Sequence, residues 1–372
     1  MKHINANRLA LAVLLVGGFP AGLAAQDDDD NTGYGTTSAE FLLLGAGARG
    51  AALGGAFAAI ANDVTALYYN PAGTALMTQP GISLSTYSYV ADTRYSWGGV
   101  AFPFSGGARA FGLHLGTFGF SDQPVYTAEQ PEGTGSVYSV SETYVGATYA
   151  ENFSDRFAAG LTAKFIFDKL GDADGNAFAV DFGTNFHSAL NNHPIKFSFV
   201  IQNLGTNISY GGDALNAEVP REPLPGEPEV PNLPQPGTLR TKDFALPTTF
   251  RVGLAYDVLA GEDTRWTVLG DFNQPTNNDA GFVLGTEVAL NHLGGSGFGA
   301  AVRGSYSYTA ANNLDPVNSS DTQLTDEEGL QGLAIGGGLQ YADEGFSIGF
   351  DYAWRHMGIL GSTNYFTFSI GW

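Results

Sequence analysis

Cysteine and long apolar runs are missing from this chain, and each absence excludes a class of protein. None of its 372 residues is cysteine, which excludes a lipoprotein anchored through a cysteine near its N-terminus. The apolar run of helical type is Leu9 to Val16, far shorter than the roughly 20 residues that a membrane-spanning helix needs. Since mean hydropathy is also close to zero, the sequence excludes a helical membrane protein.

Positive charge is scarce as well. The chain has 16 Lys and Arg against 37 Asp and Glu, which gives a formal net charge of −21. Nucleic-acid binding depends on a basic surface that displaces counterions, and binding to anionic lipid depends on a basic patch. The charge balance therefore argues against both kinds of partner.

The N-terminus has the layout of a secretory signal peptide. Lys2 and Arg8 precede the apolar run, and mostly small residues occupy positions 21–25. We expect residues 1–25 to be a signal peptide and residues 26–37, with Asp27 to Asp30, to form a flexible acidic lead. The alternative is a short N-terminal core helix.

What the chain has in abundance is alternation of apolar and polar residues. Near the C-terminus, Phe346, Ile348 and Phe350 share one face of a period-two pattern, and Ser347 and Gly349 share the other. The apolar face is rich in aromatic residues while the polar face carries small residues and isolated charges, as in a membrane barrel. The sequence therefore predicts an all-β protein, a transmembrane antiparallel β-barrel of about 14 strands over residues 81–372. The expected strands are 81–91, 94–104, 108–118, 136–150, 156–168, 176–188, 195–203, 247–259, 264–273, 281–291, 297–309, 331–341, 345–355 and 362–372.

The connections between these strands alternate in length. Short turns recur, for example at 105–107 and 191–194, and longer links follow at 119–135, 204–246, 274–280 and 310–330. Bacterial barrels have short periplasmic turns and longer external loops. We therefore expect the link 204–246, acidic and rich in proline between 220 and 236, to lie outside the cell and opposite the N-terminus. It is either a disordered acidic loop or a lid over the barrel mouth.

The last strand also predicts how the barrel is assembled. Phe366, Phe368 and Trp372 lie on one face of a terminal aromatic strand. This pattern resembles the signal that the barrel-assembly machinery reads.

Residues 38–80 differ in composition from the strands and are rich in Gly and Ala. They contain a literal G-x-G-x-x-G at Gly45, Gly47 and Gly50, but a dinucleotide site needs this motif inside a βαβ unit, and antiparallel hairpins follow here. Dense Gly and Ala instead favour close backbone packing, so we expect a plug folded into the barrel lumen. Its candidate motif residues are Asn62, Asp63, Asn70, Pro71 and Gly73.

At these residues the chain resembles a known family. The glycine-rich opening, Asn62-Asp63 and Tyr68-Tyr69-Asn70-Pro71-Ala72-Gly73 are similar to the N-terminus of the PorV/PorQ family, which belongs with the FadL-like outer-membrane barrels. The resemblance implies a bacterial outer-membrane location and one of two roles. The first, which the acidic loops favour, is a component of protein export of the type IX secretion kind that docks partner proteins at the cell surface. The alternative is a FadL-like transporter of hydrophobic small molecules such as long-chain fatty acids.

Charged residues on the inward faces are the other candidates. They either pair with each other and the plug or form a substrate pathway, because a charge in a low-dielectric lumen must be paired or hydrated. The expected inward-facing set is Lys164, Asp168, Asp181, His187, Arg251, Asp257, Glu287, Arg303, Asp351 and Arg355.

No local motif supports catalysis, a cofactor or a metal, and we expect none of the three. Asp172-Ala173-Asp174-Gly175-Asn176 resembles the start of a calcium loop, but it lacks the Glu at position twelve, so a hairpin turn is the better interpretation. The expected partners are outer-membrane lipid, the barrel-assembly machinery, and either secreted cargo proteins or hydrophobic small molecules.

Overall fold

The computed structural model describes residues 35–219, 235–309 and 332–372. The expected signal peptide, most of the acidic lead and the proline-rich part of the link at 220–234 lie outside these ranges. No helix in the described part of the chain is long and apolar enough to cross a membrane.

Fourteen strands form one closed antiparallel barrel, which confirms the predicted fold class and strand number. Each strand pairs with its neighbour in the chain, except that β7 pairs with β10 and β1 closes the ring on β16. Two further strands, β8 (Asn216–Val219) and β9 (Gln235–Thr238), form a separate small sheet. The barrel strands are β1 (Gly81–Ser88), β2 (Arg94–Phe104), β3 (Arg109–Pro124), β4 (Val137–Ser154), β5 (Phe157–Leu170), β6 (Ala173–Leu190), β7 (His193–Gly205), β10 (Thr249–Ala260), β11 (Thr264–Pro275), β12 (Gly281–Leu290), β13 (Phe298–Thr309), β14 (Leu333–Asp343), β15 (Phe346–His356) and β16 (Ser362–Gly371).

The strands turn their aromatic and aliphatic side chains outward. On β5, the side chain of Phe165 is 43% exposed, whereas that of its neighbour Lys164 is buried. Leu161 and Phe167 are also exposed, and Thr162 is buried. Because the apolar face is the outer one, this sheet is built for an apolar surrounding and not for water.

The two ends of the barrel differ. The six turns 105–108, 155–156, 191–192, 261–263, 291–297 and 344–345 lie at one end, which we call the short-turn end. The links 89–93, 125–136, 171–172, 276–280 and 357–361 lie at the other end, the long-loop end. The strand ends that flank the links 206–248 and 310–332 lie there too. The alternation in length holds only in part, because the links 89–93, 171–172, 276–280 and 357–361 are shorter than the turn 291–297.

Residues 35–80 run through the barrel interior. They form a 3-10 helix at Glu40–Leu43, short α-helices at Ala48–Ala52 and Ala66–Tyr69, and a second 3-10 helix at Pro71–Leu76. Most residues between Ala39 and Met77 are buried, and they contribute most of the hydrophobic core.

This segment enters from the end opposite to the one we expected. The Ser38 backbone N–H donates to Ala245 O at 2.9 Å within the link 206–248, while Gln79 donates to Ser347 Oγ at 2.6 Å beside a short turn. The expectation that the chain begins opposite this link is thus wrong for the described residues. The expectation was based on the number of strands alone. It did not take into account that residues 38–80 cross the barrel interior from the long-loop end to the short-turn end before β1 begins.

Candidate ligand site inside the barrel

The Asn70-Pro71 motif fastens the interior segment to the wall formed by β3 to β6. Asn70 is fully buried: its Oδ1 accepts from Ala72 N at 3.1 Å and caps the second 3-10 helix. Its Nδ2 donates to Ala58 O at 2.8 Å and to Thr184 O at 3.1 Å. Since Pro71 lacks an N–H, it fits the first helical position without losing a hydrogen bond.

Glycine is required at two places, one inside the segment and one where the segment meets the wall. A Cβ on Gly73 would lie 2.2 Å from Ala61 O, within the segment itself. A Cβ on Gly160 of β5 would lie 2.5 Å from the carbonyl carbon of Pro71. The segment and the wall therefore touch backbone to backbone, which side chains larger than hydrogen would prevent.

The opposite wall holds the segment by charge. Arg49, in the helix Ala48–Ala52, donates to both Glu287 carboxylate oxygens on β12 at 2.8 Å each, and to Asp63 at 2.8 Å. Arg303 on β13 bridges Glu287 at 2.6 Å and Asp351 at 2.5 Å. We call these five residues the arginine network.

Arg49 is the member that sequence reasoning missed. It is the one charged residue between Phe41 and Asn62, so its isolation in a Gly- and Ala-rich stretch was a usable signal. Two of the predicted motif residues lie beside it: Asn62 Oδ1 accepts from Arg49 at 3.0 Å, and Asp63 Oδ1 caps the turn by accepting from Thr65 N at 2.9 Å.

The predicted charges on the other strands are also paired. Lys164 and Asp181 form a buried ion pair at 2.8 Å, and Asp181 also accepts from Asn203 N at 2.7 Å. Asp257 lies 3.8 Å from Lys196 and accepts from Thr267 at 2.7 Å. These charges are paired within the wall, although Asp181 Oδ2 is buried without a hydrogen-bond partner.

Asp168 connects the interior segment to the long-loop end. Its carboxylate accepts from the Tyr210 hydroxyl, in the link 206–248, and from Ser38 Oγ at 3.5 Å. Burial and the hydrogen bond to Asp168 raise the pKa of the Tyr210 hydroxyl, which stays neutral and donating. Sequence reasoning missed Tyr210 because its partners lie on β5 and near residue 38.

Arg251 and Arg355 differ from the other predicted charges. Within the described ranges, neither forms an ion pair with a carboxylate, and the Nε atom of each is buried without a hydrogen-bond partner. His187, the remaining candidate, is partly buried near a short turn, and its Nε2 also lacks a partner. The two arginines lie in the same cavity, whereas His187 does not.

That cavity, the aromatic cavity, opens toward the long-loop end and has a volume of about 960 Å³. Its floor is formed by residues 40–45 of the interior segment, and Arg251 and Arg355 stand in its wall. The aromatic side chains that line it are Phe41, Tyr87, Tyr89, Phe118 and Tyr365, whereas the side chains of Tyr306 and Tyr308 are exposed on the outer face of β13. Neither guanidinium forms a carboxylate ion pair in the described chain, while the buried Asp271 attracts Arg251 and Tyr365 lies beside Arg355. An aromatic lining with two such guanidinium groups suits a ligand with an apolar body and an acidic group.

A second cavity of about 350 Å³ lies at the short-turn end and is lined by the arginine network together with Gln79, Gln340 and Thr367. Residues 45–55 separate the two cavities. A Cβ on Gly54 would lie 2.7 Å from Ser307 Oγ, and Ala52 O accepts from Ser305 Oγ at 2.9 Å. Gly54 and Ala52 therefore pack directly against the inner face of β13.

The predicted assembly residues lie where the pattern placed them. Phe366 and Phe368 are exposed on the outer face, and the Trp372 ring packs edge-on against Phe102 with centroids 6.2 Å apart. Their role in assembly stays a prediction.

Comparison with known proteins gives one family and a group of structures. An uncharacterised protein family (UPF0164) matches residues 18–164. Comparison with curated proteins finds no match. The PorV/PorQ resemblance is named by none of these results and stays a prediction.

Three solved structures show the likeness in fold. The toluene transporter TodX of Pseudomonas putida is 12% identical, with a TM-score of 0.52, covering 88% of this chain and 97% of its own. The toluene transporter TbuX of Ralstonia pickettii is 12% identical with a TM-score of 0.53, covering 89% and 98%. The monoaromatic hydrocarbon channel CymD is 11% identical with a TM-score of 0.50, covering 88% and 97%. The chain therefore has the barrel fold of these transporters and channels, and its residues 18–164 resemble the UPF0164 family.

Proposed function

We propose that this chain is a bacterial outer-membrane protein that transports hydrophobic small molecules, among them long-chain carboxylates. The observation that carries the proposal is the aromatic cavity: about 960 Å³ inside a barrel, lined by rings and by two arginines without ion-pair partners in the described chain. A cavity of this volume holds a drug-sized or fatty-acid-sized ligand.

The interior segment is the second part of the proposal. Residues 38–80 act as a hatch between the aromatic cavity and the cavity at the short-turn end. The hatch is fixed to β3–β6 by backbone contact and to β12–β15 by the arginine network. Transport then requires a movement of residues 45–55, the stretch that contains Gly54 and Gly55 at positive φ.

Protein export is the less favoured role. We expected partner proteins to dock on the acidic, proline-rich residues 220–236, of which 220–234 lie outside the described ranges. The solved structures with this fold that were compared above are a hydrocarbon channel and two toluene transporters. They support the transporter that the sequence left as the alternative.

Ligand binding to the purified barrel in detergent tests the proposal. We expect a long-chain carboxylate to quench intrinsic fluorescence saturably. Arg251→Met and Arg355→Met should weaken its binding, because each substitution removes a guanidinium group from the cavity wall and leaves the rings in place. A neutral monoaromatic compound should bind these variants as it binds the wild type.

Arg156→Met is the matched control, since Arg156 lies exposed in the β4–β5 turn and outside the cavity. It should bind both compounds normally. If the folded wild-type barrel binds neither compound, the proposed function is wrong; if both arginine variants bind the carboxylate normally, the acidic-group specificity is wrong.

A further inference from the structure

A row of one aromatic ring and two carboxylates crosses the barrel wall at the long-loop end. Phe118 on β3 lies directly opposite Glu142 on β4, and Glu142 lies directly opposite Asp168 on β5. By the alternation of their strands, all three residues belong to the inner face. We call these three residues the acidic row. Phe118 and Glu142 line the aromatic cavity, so the acidic row forms part of the cavity wall.

No ion pair in the described chain includes a residue of the acidic row. The charges that act on Glu142 are those of Asp168 and Glu40, and both are negative. Like charges directly opposite each other on neighbouring strands destabilise a sheet. A cation bound between the carboxylates of Glu142 and Asp168 would therefore stabilise this part of the wall.

Asp168 has one carboxylate oxygen without a partner. Its Oδ2 accepts hydrogen bonds from two hydroxyl groups, whereas its Oδ1 is buried and has no hydrogen-bond partner. Asp168 is 2% exposed, so bulk water does not replace the missing partner. Lys169 lies on the outer face of the same strand, and Lys164 pairs with Asp181 at 2.8 Å. A buried carboxylate oxygen in this state indicates a ligand that supplies positive charge.

The surroundings of the acidic row favour an organic cation over a metal ion. The described residues contain no group of three or more His, Cys, Asp or Glu side chains placed to hold a metal. Phe118 lies beside Glu142, and the rings of Phe118 and Tyr89 pack edge to face with centroids 6.2 Å apart. Aromatic rings beside a carboxylate suit an ammonium group, because the attraction of the ring for a cation adds to the charge pairing.

The two arginines of the aromatic cavity lie elsewhere on its wall. The strands β5, β6 and β7 separate β4 from β10, which carries Arg251, and β16, β1, β2 and β3 separate β4 from β15, which carries Arg355. Neither arginine is among the charges that act on Glu142. The cavity thus has a basic part and a separate acidic part.

We propose that the acidic row is a second subsite of the aromatic cavity, which binds the ammonium group of an aromatic or amphipathic amine. The ammonium group lies between the carboxylates of Glu142 and Asp168 and against the Phe118 ring, while the apolar body of the ligand occupies the aromatic part of the cavity. This inference rests on the transport function proposed above and adds cationic molecules to its ligands.

Two ligands of the same shape and different charge test the subsite. Phenyltrimethylammonium is a cation, and tert-butylbenzene is its neutral counterpart. Calorimetric titration of the folded barrel in a nonionic detergent should show saturable binding of phenyltrimethylammonium. Glu142→Gln should weaken this binding about tenfold, because a charge-assisted contact is lost. It should leave the binding of tert-butylbenzene unchanged.

Glu151→Gln is the matched control, because it makes the same substitution on the same strand. Glu151 lies near the short-turn end, where it pairs with the exposed Arg109 at 3.0 Å, and it does not line the aromatic cavity. The Glu151→Gln barrel should bind both ligands as the wild type does.

Thermal unfolding gives a second measurement. Since Glu142→Gln removes the repulsion between Glu142 and Asp168, the variant without ligand should be at least as stable as the wild type. Phenyltrimethylammonium should raise the unfolding temperature of the wild type and not that of the variant. An equal rise in both barrels would contradict the inference.

The outcomes separate this inference from the proposed function. The subsite is wrong if the folded wild type does not bind phenyltrimethylammonium, if Glu142→Gln binds it normally, or if both Gln variants weaken it equally. It is also wrong if Ca²⁺ alone binds at Glu142 and phenyltrimethylammonium does not, since the acidic row is then a metal site. In each of these cases, a wild-type barrel that still transports a long-chain carboxylate leaves the proposed function standing.

Discussion

The arginine network makes a quantitative prediction about how the interior segment is held. Glu287 is 4% exposed and accepts from two guanidinium groups, those of Arg49 and Arg303. Removing one partner of a buried ion pair typically costs about 3–5 kcal/mol, since the other charge is left uncompensated. Glu287→Met should therefore reduce the free energy of unfolding by about 4 kcal/mol.

Arg49→Met should cost less than Glu287→Met, because Glu287 keeps its contact with Arg303 at 2.6 Å. The double variant removes both charges of the pair, so its cost should be smaller than the sum of the single costs. The coupling should be at least about 1 kcal/mol, within the range for residues in direct contact.

Denaturant unfolding in detergent micelles, followed by tryptophan fluorescence, measures these differences. Trypsin adds a local readout, because Arg49 should become cleavable once Glu287 no longer holds it. Arg109→Met is the control: its ion pair with Glu151 at 3.0 Å is exposed, so no measurable change is expected. Additive costs for the two network substitutions, or a Glu287→Met barrel as stable as the wild type, would show that the arginine network does not hold the interior segment.

Three further predictions follow from the packing and the topology. Gly160→Ala should destabilise the barrel by about 1–3 kcal/mol by overpacking against Pro71. Gly270→Ala is the control, because its Cβ would meet nothing closer than 3.7 Å, and it should unfold like the wild type. Equal stabilities of the Gly160→Ala and Gly270→Ala variants would contradict the close contact between Gly160 and Pro71. Cysteine at Gly35 should react with an impermeant maleimide on whole cells while cysteine at Asn192 does not, because Gly35 is exposed near the long-loop end; the reverse pattern would invert the topology. Deleting residues 362–372 should abolish heat-modifiable migration on gels, since both neighbours of β16 lose their partner, and normal migration would contradict the closure of the barrel.

The sequence was sufficient for the strands because their signal is local. A period of two with aromatic residues on one face, as in residues 346–355, needs no knowledge of the rest of the chain to be recognised. Turn residues such as those at 105–107 then separate one strand from the next. The order of the strands followed from hairpin connections, apart from the link 206–248, where β8 and β9 were not predicted.

The contacts inside the barrel could not be predicted in the same way. Which carboxylate Lys164 meets depends on the stagger between β5 and β6, and the pair formed with Asp181 is a property of that register. The path of residues 38–80 depends on Ser38 meeting Ala245, more than two hundred positions away. Proximity of this kind leaves no pattern in a single sequence.

The two unpaired arginines were predicted only as members of a larger set. Alternation placed Arg251 and Arg355 on the inner face along with eight other ionisable residues, and nothing in the pattern distinguished them. What distinguishes them is the lack of an ion-pair partner in the described chain and their place in one aromatic cavity. Both properties exist only once the strands are assembled.

Uptake by proteoliposomes tests whether the barrel transports a long-chain carboxylate. Purified barrel is inserted into vesicles, and the entry of a radiolabelled long-chain carboxylate is timed against vesicles that contain Arg251→Met barrel and vesicles without protein. We expect saturable entry through the wild-type barrel, slower entry at low concentration through the variant, and background entry without protein. Background entry through a correctly folded wild-type barrel would contradict it.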